Sequence, residues 1–211
     1  MNDYSYKLDN FLFPLISNFK NPKILELGVQ KGVSTLKFLE LCNANDGYLF
    51  SVDIADCSTV TNDKRWKFIL SKDDNFKLIK NEIPKKLDII FIDSVHEAKH
   101  VSKIFYNYYN QLNVGGYIFI DDISHLPYID DNKKSSFYCE INNKETFNEL
   151  LKINFYNQDC FDLSFSFKSS GLAIIKKKNN LILKKSEKLN SREYSFRNLF
   201  RKIWLNIKKN Y

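Results

Sequence analysis

Three aspartates give this sequence its clearest chemical signal. Asp93 closes the apolar run from Leu87 to Ile92, and Asp121 and Asp122 close a second run from Tyr117 to Ile120. Short, continuous apolar runs bounded by turn signals read as strands buried on both faces. The stretch between them has a helical pattern that closes at Gly115 and Gly116. Strand, helix and strand in that order form a right-handed crossover, so the two strands run parallel. Their acidic ends then share one edge of a sheet, about 5 Å apart if the strands are neighbours. Three carboxylates gathered there repel one another unless something cationic stands between them.

The other elements decide what that edge faces. Tyr4 to Phe19 places Leu8, Phe11, Leu12, Leu15, Ile16 and Phe19 at helical spacing, with Pro14 set to kink the helix or start a second piece. A covering helix is the expectation, and a lid over a ligand is the alternative. Lys23 to Leu27 reads as the first strand. It runs into Glu26, Gly28 and Gly32 at E-x-G-x-x-x-G spacing, with Ser34 a candidate N-cap for a helix over Thr35 to Cys42. A strand, a glycine turn and a helix form a nucleotide-binding corner in doubly wound folds. The dinucleotide fingerprint needs glycine at 28, 30 and 33, where this chain has Gly28, Gln30 and Val33. That mismatch argues against a pyrophosphate on the helix N-terminus.

Tyr48 to Val52 reads as the second strand, and it ends on Asp53, placed to accept hydrogen bonds from ribose hydroxyls. Trp66 to Leu70 is the third. Asp73 or Asp74 beyond it either reaches an adenine amino group or caps a short helix over Phe76 to Glu82. After Asp122, the stretch from Ile129 to Asn143 reads as a loop at the active edge, suited to substrate contacts through Tyr128, Phe137 and Tyr138 nearby. Glu145 to Leu151 is a helix, Ile153 to Tyr156 and Leu163 to Phe167 are candidate strands, and Gly171 to Ile175 is the last strand. The expected fold is α/β: a Rossmann-like, doubly wound, seven-stranded, mostly parallel sheet with an antiparallel edge hairpin.

Charge is unevenly placed along the 211 residues, whose net charge is +7. From Lys176 to Tyr211, twelve Lys and Arg face only Glu187 and Glu193, a local charge of +10. The rest carries twenty basic and twenty-three acidic residues, or −3. A nucleic-acid groove across the body is therefore not expected. Cys42, Cys57, Cys139 and Cys160 show no CxxC spacing, which argues against a zinc or redox pair and for reduced packing residues in a cytoplasmic protein. The N-terminus lacks a signal-peptide core, and no apolar stretch reaches membrane-spanning length.

The segments ILELGVQKG, the strand end at Asp53, FIDSVH and L-x-x-GGYIFIDD together resemble a class I S-adenosylmethionine-dependent methyltransferase over roughly Lys23 to Lys176. Within that superfamily the chain is most similar to metal-dependent O-methyltransferases. These include the macrocin-type sugar enzymes, the cephalosporin-hydroxylase-like proteins and, more distantly, the catechol and caffeoyl-CoA enzymes. The resemblance implies cofactor contacts at Glu26, Gly28 and Gly32 and a ribose contact at Asp53; Asp73 is the candidate cofactor contact read from the residues beyond the third strand. It implies a divalent cation held by Asp93, Asp121 and Asp122. His96 follows the first of these by three residues, where catechol-type enzymes have lysine, and this points toward sugar hydroxyls. One departure stands out: the Gly-Asp usual after the third strand appears here as Ser71 and Lys72.

Elementary chemistry agrees with those roles. A divalent cation lowers the pKa of a hydroxyl and orients its oxygen. Hard oxygen ligands favour Mg²⁺, with Mn²⁺ or Ca²⁺ as alternatives. His96, beside Asp93, is the catalytic base expected to take the hydroxyl proton, and His125 is its rival. The expected function is thus O-methylation of a hydroxyl on a sugar, glycan or small natural product. Two other readings compete. A hydroxylase-like role would need a 2-His-1-carboxylate triad, and none stands at recognisable spacing. A non-catalytic binding module would not need all three aspartates.

The expected domains are 1–178 for the methyltransferase and 179–211 for a basic tail. In that tail Phe196, Leu199, Phe200, Ile203, Trp204 and Ile207 fall at helical spacing among Arg197, Arg201, Lys202 and Lys208. Such a helix suits an anionic membrane surface, or docking on the body or on a second subunit.

Overall fold

The computed structural model describes residues 3–125, 137–187 and 195–209. The chain begins with α1 (Asp3–Lys7), a π-helical turn (Leu8–Leu12) and α2 (Phe13–Ile16). Pro14 sits in the first turn of α2, where a missing N–H breaks no helical bond. Then follow β1 (Lys23–Leu27), α3 (Val33–Ala44), β2 (Tyr48–Asp53), β3 (Trp66–Leu70), α4 (Phe76–Glu82) and β4 (Leu87–Ile92). The second half holds α5 (Ala98–Tyr108), a 3₁₀ turn (Tyr109–Gln111), β5 (Leu112–Asp121), α6 (Phe137–Tyr156), β6 (Phe161–Ser166), β7 (Leu172–Lys177) and α7 (Phe196–Lys209).

The seven strands form one sheet in the order β3-β2-β1-β4-β5-β7-β6. The first five are parallel, and β7 runs antiparallel to both β5 and β6. This is the expected doubly wound sheet with its antiparallel edge pair. The chain winds outward from β1 through β2 to β3, then returns to β4 and winds the other way. The crevice beyond the carboxyl ends of β1 and β4 is therefore the topological switch point, where ligands bind in open α/β sheets.

Both faces are covered, which is why β4 reads as a continuous apolar run. On one face Leu8, Leu12 and Ile16 of the N-terminal segment pack with Phe38 and Leu39 of α3 against Ile89, Phe91 and Phe119. On the other, Ile79 of α4, Phe105 of α5 and Leu150 and Ile153 of α6 cover Ile90, Ile118 and Ile120.

Three local expectations change. Ile153 to Tyr156 is the last turn of α6 rather than a strand. A short run of apolar and aromatic residues reads either way, and Leu150 and Ile153 bury one helical face. Helix α3 starts earlier than expected, at Val33, with Gly32 in the left-handed region as its N-cap (φ 76°) and Ser34 inside its first turn. Strand β5 starts at Leu112 and includes both glycines, because Gly116 runs against β4, where an added Cβ would lie 2.6 Å from the Asp88 carbonyl oxygen. Of the expected loop, residues 129–136 lie outside the described residues, and residues 137–143 open α6. Tyr128 and the side chains of Phe137, Tyr138 and Cys139 also lie outside them.

After β7 the chain stays on the body for several residues. The Asn157 side chain bonds both backbone groups of Lys184, at 2.7 and 3.0 Å. The Tyr106 hydroxyl receives the Ser186 N–H at 3.0 Å. No helix among the described residues is long and apolar enough to cross a membrane.

Candidate active site

Gly28 makes the corner possible. It has φ +102°, and an added Cβ would stand 1.9 Å from the Asp93 carbonyl oxygen. Backbone bonds from Gly28 to Val52 (2.9 Å) and from Asp93 to Leu27 (2.8 Å) tie the ends of β1, β2 and β4 together. Only glycine tolerates both that φ and that approach. Gln30 follows, also left-handed (φ 50°), so the turn folds back toward β2.

Asp53 holds that turn from the end of β2. Its Oδ2 accepts the N–H groups of Val29 (2.8 Å) and Gln30 (3.0 Å), and its Oδ1 accepts that of Ala55 (2.9 Å). Burial pushes its pKa up, but the backbone donors outweigh it and hold the carboxyl below its ordinary value. Asp53 therefore presents an ionised carboxylate with spare lone pairs.

A cavity of about 650 Å³ opens along this edge. That falls within the usual range for small-molecule sites. Its walls include Gly28, Asp53 and Asp73 at one end. Asp93, His96, Asp121 and Asp122 stand at the other, with Tyr4 and Ser170. Seven of the residues singled out from the sequence thus meet in one place, because all stand at the carboxyl ends of parallel strands or in the loops just beyond.

Glu26 and Gly32 lie apart from that wall. Gly32 contacts Val60 behind the turn. Glu26 is fully buried, and its Oε2 accepts the hydroxyls of Thr35 (2.8 Å) and Ser51 (2.6 Å). Burial pushes its pKa up to about 7, against the pull of the Ser34, Ser51 and Thr35 hydroxyls. It ties β1 to α3 and β2 beneath the cofactor corner.

Asp73 accepts the Ser94 hydroxyl (2.5 Å) and faces His100 Nε2 (2.8 Å). Asp74 pairs instead with Lys103 (2.9 Å) and is absent from the cavity wall. His125 is also absent from it. Its ring packs against Phe147 and Phe167, with centroids 4.8 and 6.2 Å away.

The acidic centre holds residues that sequence reasoning did not anticipate. His96 Nε2 lies 3.3 Å from Asp122 Oδ2 and 3.8 Å from Asp93 Oδ1. The Tyr4 hydroxyl donates to Asp93 Oδ2 (2.7 Å). The fully buried Lys7 ammonium pairs with Asp121 Oδ1 and donates to the Ser170 hydroxyl (2.7 Å). Burial raises the pKa of Asp93, opposed by Tyr4 and His96. Burial and the neighbouring Asp93 charge push the Asp121 carboxyl up, and the Lys7 ammonium opposes them. The only sequence trace of Tyr4 and Lys7 is their i, i+3 spacing, which puts them on one helix face.

This arrangement tests the expected divalent-cation site. Among the described residues no group of three His, Cys, Asp or Glu side chains is set to hold a metal ion. Asp121 Oδ1 pairs with Lys7 and Asp93 Oδ2 accepts from Tyr4, so two of the three expected ligands each have one oxygen engaged within the chain. The cofactor corner does fit a nucleoside-bearing ligand: the Gly28 turn has no side chain in the way, and Asp53 is ionised beside it.

Fold and cleft together define the class I methyltransferase architecture. Residues 25–123 match the family model described as "Methyltransferase domain". That match gives residues 25–123 the sequence pattern of a methyltransferase domain, on a sheet of the matching fold. No curated protein sequence matches the chain. Among solved structures, the MycE methyltransferase of the mycinamycin biosynthetic pathway, bound to Mg and SAH, aligns with TM-score 0.61 and 18% identity. That alignment covers 84% of this chain and 53% of MycE, so the chain spans about half that enzyme's length. A caffeoyl-CoA O-methyltransferase candidate from Staphylococcus aureus aligns with TM-score 0.61 and 21% identity, covering 84% of each chain. The SAH-bound methyltransferase PaMTH1 of Podospora anserina aligns with TM-score 0.62 and 16% identity, covering 84% of this chain and 86% of its own. At these identities the likeness concerns the fold.

Proposed function

We propose that this chain is an O-methyltransferase that acts on a hydroxyl of a sugar, glycan or small natural product. The observation that carries the reading is the cleft itself: an ionised ribose-type acid, Asp53, at one end and His96 between two carboxylates at the other. MycE, one of the aligned enzymes, is also solved with mycinamycin VI, which supports a small-molecule acceptor. When bound, S-adenosylmethionine supplies an electrophilic methyl on a sulfonium, and the sulfur keeps the electron pair of the breaking bond. The protein's part is to hold the acceptor oxygen in line with that methyl, a positioning problem. His96 takes the hydroxyl proton as the new O–C bond forms. Asp122 and Asp93 stabilise the imidazolium that results. Asp73, Ser94 and His100 stiffen the adenine end of the cleft. In this reading the proton goes to His96, because Tyr4 and Lys7 each already engage one oxygen of Asp93 and Asp121.

The test is transfer of a labelled methyl group from S-adenosylmethionine to components of a cell extract, read by mass spectrometry. His96→Ala should lower turnover about 10²–10⁴-fold, as expected for loss of a general base. His125→Ala should stay near wild type. The reverse pattern would assign the base to the wrong histidine, and no labelled product at all would remove the enzymatic reading.

The tail supports a second, separate proposal: the helix α7 contacts an anionic membrane surface. In α7, Phe196, Leu199, Phe200, Ile203, Trp204 and Ile207 are all about half exposed or more. Arg197, Arg201, Lys202 and Lys208 flank that apolar face, and the helix has no acidic residue. Apolar insertion combined with basic flanks is the pattern of interfacial helices.

A further inference from the structure

A buried lysine at the centre of an acidic cluster needs an explanation. Lys7 is fully buried. An ammonium group has three N–H donors and accepts nothing. Here three acceptors converge on Lys7: Asp121 Oδ1, the Ser170 hydroxyl at 2.7 Å and the Gly171 carbonyl at 3.5 Å. The Tyr4 ring lies below the ammonium, 5.1 Å from its centre. Lys7 is thus a built cation site whose cation is part of the chain.

The segment that delivers it is anchored. Leu8, Leu12 and Ile16, directly downstream, are fully buried in the core beneath the sheet. The π-helical turn begins one residue after Lys7. Such turns insert an extra residue into a helix and often re-aim the side chains beside them. Lys7 therefore reaches Asp121, 114 residues away in the chain, from a segment that cannot withdraw without opening the core.

We propose that Lys7 is the resident cation of the acidic centre and stands in for the divalent metal. On this account, which rests on the methyltransferase reading above, transfer needs no metal ion. Lys7 neutralises Asp121. Asp122 and Asp93 remain to orient His96, and Tyr4 holds Asp93. Lys7 is a positioning residue: it acts through the carboxylates and the acceptor does not touch it. The bond changes are the same as above: O–C forms, C–S breaks, and the proton moves to His96.

The test reads metal binding directly and does not depend on a known acceptor. Mn²⁺ is titrated into the full chain and free Mn²⁺ is followed by electron paramagnetic resonance, with and without S-adenosylhomocysteine. Wild type should show no saturable binding below about millimolar Mn²⁺. Lys7→Met keeps the side-chain length, removes the charge and leaves the carboxylates unpaired. It should bind Mn²⁺ at least about tenfold more tightly, since one positive charge beside the site has gone. Adding Asp121→Asn to Lys7→Met should abolish that gain. Micromolar Mn²⁺ binding by wild type would overturn the proposal, and so would a folded Lys7→Met with no gain. Should Lys7→Met fail to fold, the wild-type titration decides alone. A parallel calorimetric titration with S-adenosylhomocysteine keeps the two ideas apart: its failure removes the methyltransferase reading, whereas tight Mn²⁺ binding removes only the role of Lys7.

Discussion

Glu26→Gln should make the protein less sensitive to rising pH. Glu26 is fully buried, and burial lifts its pKa from an ordinary 4.5 to about 7. Below about pH 4.5 the carboxyl is protonated in both the folded and unfolded chains, and its native contacts are retained at no ionisation cost. Between 4.5 and 7 the unfolded chain releases the proton while the native state keeps it, so unfolding gains ground as pH rises. Above 7 that loss is complete. Lifting the pKa from 4.5 to about 7 corresponds to roughly 3 kcal/mol. Full burial means that solvent screening does not reduce this figure much. Glutamine has nearly the same shape, can still accept from Ser51 and Thr35, and does not titrate. Urea denaturation of both proteins at pH 5 and pH 8 isolates the effect, because Asp121 and every other titrating group is common to both. Glu26→Gln should gain about 2–3 kcal/mol on wild type between the two conditions. A difference between the proteins that is constant with pH would refute the reasoning, and one that moves the other way would mean that Glu26 is ionised in the native state.

Two more outcomes follow from the geometry. Gly28→Ala places a Cβ 1.9 Å from the Asp93 carbonyl at a left-handed φ, so it should cost roughly 3 kcal/mol or more in thermal unfolding and disturb both ends of the cleft. Flotation with anionic liposomes should recover the full chain and lose a chain ending at Glu187, a cut chosen because Lys184 and Ser186 still bond to the body. Equal recovery of the two would remove the membrane role of α7.

Much of the sheet could be read in advance because parallel strands buried on both faces leave long apolar runs, and the acids that end them mark the edge where the cleft opens. Asp53, Asp93, Asp121 and Asp122 were legible for that reason: strand ends are local features. The end of α6 was not, since Ile153 to Tyr156 is equally compatible with a buried helix turn and a short strand until its packing partners are known. Lys7 and Tyr4 were illegible for a different reason. A lysine in an amphipathic helix normally lies on its wet face, and nothing within the first twenty residues says that this one meets Asp121. Only the docking of α1 across the carboxyl edge brings them together. His100, four residues after His96, was hidden in the same way, because its partner Asp73 lies 27 residues earlier.

The most direct test of the central claim is calorimetric titration of the full chain with S-adenosylhomocysteine, comparing wild type with Asp53→Ala. The account predicts saturable one-to-one binding by wild type. It predicts a loss of about tenfold or more in the variant, since a hydrogen bond to a charged carboxylate is worth about 1.5–3 kcal/mol. Absence of binding by the folded wild-type chain, or equal affinity in a folded Asp53→Ala, would contradict it.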